Sequence, residues 1–190
     1  VALHSSADGE SAAMTSLVDQ VVAVADALET SGLPWAFGGA LALAYATYEP
    51  RGTRDIDVNV FVPASRAADV FAAMPDGVHH ELADVMTAER EAQVRLFWEH
   101  TPVDVFFAAD DFHHEVSMRC REVPFSGRSI RVLGAEDLAV FKAMFDRPKD
   151  WVDIAAMREA GSLDAGVAAD RLASLLGNDP RVERLRRIAG

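Results

Sequence analysis

Residues 55–61, Asp-Ile-Asp-Val-Asn-Val-Phe, constrain this chain more than any other stretch, because they set two carboxylates two residues apart on an otherwise largely apolar strand. Side chains at i and i+2 of a strand share a face, so Asp55 and Asp57 project together while Ile56 and Val58 point into a core. Neighbouring carboxylates repel and raise each other's pKa unless a cation is shared between them. A hard divalent ion removes that cost. Mg²⁺ suits the role, since a few carboxylates hold it while substrate phosphates and water complete its shell. Asp104, flanked by Val103, Val105 and Phe106, is a third carboxylate on an apolar strand, and it joins the pair if the two strands are adjacent. Taken alone, the pattern also describes a solvent-facing strand, with Asp104 capping a strand end.

What precedes the acidic strand narrows the choice. Residues 34–37 read as a short strand running into Gly38-Gly39, and 40–48 have strong helical propensity with no breaker until Pro50. A helix starting there presents free backbone N–H groups and the positive end of its dipole to a phosphate. Gly-Gly, a helix and a loop, followed about 16 residues later by D-x-D, is more specific than either half.

The rest of the chain predicts a mixed α/β region followed by helices. Residues 1–13 lack periodicity and stand outside the fold; apolar positions from Leu17 to Leu28 recur at helical spacing and stop at Ser31-Gly32. A helix is expected over 65–73, strands over 78–82, 93–98 and 103–107, and a hairpin over 120–132 turning at Ser126-Gly127. Helices are expected over 135–146, 149–160, 164–176 and 180–188. The expected organisation is a core over 14–134 with a helical C-terminal region, 135–190, packed on it.

A net charge of −12 argues against a general polyanion-binding surface, so any nucleic-acid contact must be local. Arginines 119, 121, 128 and 131 around the hairpin, and 181, 184, 186 and 187 near the C-terminus, are candidates for it or are solvated faces. The single cysteine forms no internal disulfide, and no apolar run approaches the roughly 20 residues that span a bilayer, so the expected setting is the cytoplasm, away from membranes. His79-His80 and His113-His114 lack a partner at ligand spacing and read as surface residues; Trp151, Ile154 and Met157 read as core.

The order Phe37-Gly38-Gly39, Asp55-Ile56-Asp57 and Val103-Asp104-Val105 resembles the nucleotidyltransferase superfold related to DNA polymerase β. Within it, Arg51-Gly52-Thr53-Arg54-Asp55-Ile56-Asp57 is similar to the R-x-T-x-D-I-D of the AbiEii/AbiGii toxin-type nucleotidyltransferases, the MenT-like toxins of type IV toxin-antitoxin systems. Glu136-Asp137-Leu138 with Lys142, and Arg147-Pro148-Lys149-Asp150-Trp151-Val152-Asp153, match that family's downstream motifs, so the likeness covers about residues 33–160.

The resemblance implies a polymerase-β-like α/β fold, a mixed sheet flanked by helices, and transfer of a nucleoside monophosphate from an NTP to an acceptor hydroxyl. It implies a two-metal Mg²⁺ site on Asp55, Asp57 and Asp104, with Lys142 as a further catalytic residue. Gly38, Gly39, Arg51, Arg54, Lys142 and Asp153 would bind the nucleotide. For Arg51 and Arg54, surface ion pairs are the alternative; for Lys142, a solvated lysine. The acceptor implied is a tRNA 3′ end, with a cognate antitoxin protein as partner. A small-molecule adenylyltransferase of the aminoglycoside type fits the acidic charge, and an inactive binding module on the same fold is a third reading.

Overall fold

The computed structural model describes residues 14–50 and 52–189. The first helix, α1 (Leu17–Ser31), starts where the Ser16 side chain accepts from the Asp19 N–H and ends at Gly32, whose φ of 70° lies in the left-handed region. Val21, Val24, Ala25 and Leu28 form its buried stripe. Strand β1 (Trp35–Phe37) follows, then α2 (Gly39–Thr47) and β2 (Ile56–Pro63). A short 3₁₀ turn leads into α3 (Ala67–Ala72), β3 (Val78–His79), α4 (Leu82–Glu91), β4 (Gln93–Trp98) and β5 (Thr101–Ala108). After α5 (Asp111–Arg119) come β6 (Arg121–Phe125) and β7 (Arg128–Val132). The chain ends in helices α6 (Ala135–Phe145), α7 (Pro148–Glu159), α8 (Ala165–Leu176) and α9 (Pro180–Ala189).

Among the described residues the strands form one sheet in the order β3-β4-β5-β2-β1-β7-β6. The pairs β2–β5 and β1–β7 are parallel and the others antiparallel. This is the expected mixed α/β architecture. The strand centre is apolar on the side facing the helices: Ile56, Val58, Val103 and Val105 are all fully buried. Truncating any one of them to Ala would cost about 2–4 kcal/mol through lost transfer energy and the cavity left behind.

Helix α6 packs against α2, α7 and α8, α7 also packs against α2, and α9 packs against α8. Trp151, Ile154 and Met157 are buried, as their spacing predicts. Three expectations need correcting. Residues 82–91 form a helix where no element was expected, and the strand expected over 78–82 shrinks to Val78–His79. Helix α4 turns most of itself to solvent, with Ala88 its one fully buried residue, and its large apolar positions, Leu82, Val85 and Met86, span little more than one turn. Residues 111–119 are likewise helical, and Phe112 and Val116, one turn apart, anchor that helix. Among the described residues no helix is long and apolar enough to cross a membrane.

Candidate active site

The register of the central strands brings the acidic residues together. In the parallel pairing of β2 with β5, Asp57 lies directly beside Asp104, and Ile56 beside Val103 on the opposite, buried face. Asp55 falls one residue ahead of β2, where its Oδ1 accepts a 2.7 Å hydrogen bond from the Thr53 hydroxyl. All three carboxylates line one cleft of about 880 Å³.

Gly38 and Gly39 close the cleft from the β1–α2 side. The Gly38 N–H donates to the Asp57 carbonyl at 2.9 Å, which holds the turn against β2. Gly39 has a φ of 48°, and a Cβ there would lie 1.8 Å from Asp57 Oδ2. Only glycine fits, for both backbone and space. Helix α2 has no side-chain cap at Gly38, so the first-turn N–H groups, which have no partner inside the helix, open into the cleft beside the carboxylates.

Electrostatics single out Asp57. Its carboxyl is pushed up to about 6, first by burial and then by the charges of Asp55 and Asp104, against smaller opposing effects of Lys142 and Lys149. Asp104 is treated differently. Arg95, opposite it on β4, forks onto both oxygens, Nε to Oδ1 and an Nη to Oδ2, each at 2.7 Å. The pair holds the Arg95 guanidinium above its ordinary pKa.

Helices α6 and α7 supply the opposite wall. Lys142, almost buried, donates to Asp153 at 2.7 Å and lies 3.6 Å from Asp150. Asp150 is fully buried and accepts from the Arg147 backbone N–H at 3.2 Å and its side chain at 2.7 and 3.1 Å, capping α7 behind Pro148. Aromatic groups fill the remaining wall: Phe106 against Phe145, Phe141 against His113, and the Arg147 guanidinium 4.8 Å above the Phe145 ring.

Of the residues expected at the site, Gly38, Gly39, Asp55, Asp57, Asp104, Lys142 and Asp153 all line this cleft. Arg54 is exposed and is not among the lining residues, and Arg51 lies outside the described residues. His113, read from sequence as a surface residue, is instead part of the cleft wall, with Nδ1 2.8 Å from Asp110. Arg95 and Arg147 were not singled out as site residues by sequence. Alternation in β4 marks Arg95 as facing away from the core, but only the strand register pairs it with Asp104.

Among the described residues, no three His, Cys, Asp or Glu side chains converge as a closed metal site. The donor set instead fits a hard cation held in an open site: the carboxylates of Asp55, Asp57 and Asp104 lie on one cleft, with the N-terminus of α2 alongside.

No family model matches the chain, and no curated protein matches its sequence. Solved structures do. The antibiotic-resistance factor ANT(2'')-Ia is similar with a TM-score of 0.60 at 19% identity, over 90% of this chain and 96% of that one. The lincosamide antibiotic adenylyltransferase LnuA, lincomycin-bound, is similar at a TM-score of 0.52 and 15% identity, over 77% of this chain and 98% of that one. An antigenic nucleotidyltransferase-like protein from Paracoccidioides brasiliensis gives a TM-score of 0.52 at 14% identity, over 92% and 94% of the two chains. With its mixed sheet and its flanking helices, this chain has the nucleotidyltransferase fold.

Proposed function

We propose that this protein transfers a nucleoside monophosphate from an NTP to an acceptor hydroxyl, with Mg²⁺ as cofactor. The observation that carries the reading is Asp57 beside Asp104 at the N-terminus of α2, with Gly39 close against the Asp57 carboxylate and that carboxyl raised by burial and by the neighbouring Asp55 and Asp104 charges. In this reading the first-turn N–H groups of α2 receive the terminal phosphates, and Lys142 and Arg147 balance their charge from the facing wall. Asp55, Asp57 and Asp104 would hold the ions. Asp104 orients the acceptor hydroxyl and takes its proton as the oxygen bonds to the α-phosphorus and pyrophosphate leaves. Divalent ions there would neutralise charge developing on the attacking and leaving oxygens. Residues 14–134 supply the carboxylates, and 135–190 supply Lys142, Arg147 and Asp153.

For the acceptor, the R-x-T-x-D-I-D resemblance supports a tRNA 3′ end, making the protein a toxin held in check by an antitoxin. A separate observation favours a small cationic molecule. Among the described residues the cleft lining carries six carboxylates (Asp55, Asp57, Glu91, Asp104, Asp150, Asp153) against four cations (Arg95, Lys142, Arg147, Lys149). Many arginines outside it are engaged as well: Arg119 with Asp137, Arg128 with Asp26, Arg181 with Asp179 and Arg186 with Glu183. An RNA ligand would have to compete for them.

The test is incubation with Mg²⁺, each labelled NTP, total tRNA and a panel of aminoglycosides and lincosamides, beside Asp57→Asn. Label on either acceptor class that vanishes in the variant supports transfer and identifies the acceptor. Absence of label on every acceptor, with no pyrophosphate released, overturns the reading.

A further inference from the structure

The Arg95–Asp104 pair has the geometry of a strong interaction in the place where the proposed chemistry requires a carboxylate to be available. Both carboxylate oxygens are taken, each at 2.7 Å, in the planar fork-to-fork arrangement that gives the strongest charge-assisted bonds. The Asp104 side chain is 16% exposed, whereas that of Arg95 is 55% exposed. The arginine therefore reaches in from an open surface to neutralise a sheltered group.

Its surroundings leave it room to withdraw. In β4 the residues Gln93, Arg95 and Phe97 face the open side of the sheet, and Val94 and Leu96 face the core. Phe97, the next residue on that face, is 47% exposed. Arg95 is thus tethered to the fold by its backbone register and held over the cleft by Asp104. Among the described residues the three carboxylates are also unevenly compensated: Asp104 has a guanidinium, Asp55 a neutral hydroxyl from Thr53, and Asp57 the charges of Lys142 and Lys149.

We propose that Arg95 is a built-in counter-cation that competes with a divalent ion for Asp104, so that the ion must displace the guanidinium before it gains this carboxylate. The proposal rests on the metal-dependent reading above and adds a residue that tunes ion affinity. Arg95 keeps Asp104 oriented when no substrate is present, and sets the divalent-ion concentration at which the cleft becomes complete.

The test is Mn²⁺ binding to the full chain without nucleotide, followed by the electron paramagnetic resonance signal of the free ion. The variants are Arg95→Gln, Arg95→Lys, Asp57→Asn, Asp104→Asn and the Arg95→Gln/Asp104→Asn double variant, with thermal melts in EDTA to verify folding. Arg95→Gln is expected to bind Mn²⁺ about tenfold more tightly than the unmodified chain, the affinity equivalent of losing one well-formed charge-assisted competitor. Arg95→Lys, which keeps the charge without the fork, falls between. The double variant returns to the Asp104→Asn value. Equal or weaker binding by Arg95→Gln, with binding still lost in Asp57→Asn, overturns the Arg95 proposal and leaves the metal-dependent reading standing. No Mn²⁺ bound by any variant overturns both.

Discussion

Asp137 and Asp57 are both sheltered carboxylates, and the fold treats them in opposite ways. Asp137, on α6, is 1% exposed and accepts from Arg119 of α5 at 3.0 and 3.1 Å and from Arg171 of α8 at 2.8 Å. Three helices meet on one charge whose oxygens are satisfied. Asp57 sits beside Asp55 and Asp104, burial and their charges outweigh the opposing Lys142 and Lys149, and its carboxyl rises to about 6. A buried charge with its counter-ions in place is architecture; one left to repel its neighbours at a cleft marks a site that expects a ligand.

Breaking each centre should give opposite results. The largest expected effect is on catalysis: Asp57→Asn should lower the nucleotidyl-transfer rate by about 10³-fold or more, equivalent to roughly 4 kcal/mol of barrier, in a single-turnover assay with labelled NTP. Next in size is Asp137→Ala, which removes the buried carboxylate shared by Arg119 and Arg171 and should cost about 3–5 kcal/mol of stability in urea unfolding. Gly39→Ala forces a methyl into the Asp57 carboxylate and a side chain into positive φ, so about 1–3 kcal/mol of stability should be lost, with nucleotide binding weakened in the same sample by calorimetry. At the small end, Asp26→Ala removes the exposed pair with Arg128 and should shift stability by less than about 1 kcal/mol.

Much of this contrast could be read from the chain. The alternation of 55–61 fixed which side of β2 carries acid, and the glycine pair placed a helix N-terminus near it, because both signals are local. Asp104 could be nominated but not positioned, since its adjacency to Asp57 depends on β5 pairing with β2 across more than 40 intervening residues. The same long-range register hid Arg95. Glu136-Asp137-Leu138 shares a helix with Lys142, but its two carboxylates serve packing: Asp137 holds the α5–α6–α8 junction and Glu136 accepts from the Asp164 N–H. Helix α5 went unseen despite Phe112 and Val116, and with it His113 in the cleft wall.

The central claim is that Asp57 is held in an environment unfavourable to its charge until a cation arrives. Its folded carboxyl titrates near 6 and its ordinary value is 3.8, so the folded state binds the extra proton between those pH values. Stability from this group is therefore complete below about pH 3.8 and is lost as pH rises through about 6, a difference of about 1–3 kcal/mol. Urea unfolding of the unmodified chain and Asp57→Asn from pH 4 to 8, in EDTA, tests this directly. Asp57→Asn is expected to be the more stable of the two above pH 6, with the difference shrinking steadily toward pH 4. A variant that is less stable at pH 7.5, or a difference that does not change with pH, would contradict it.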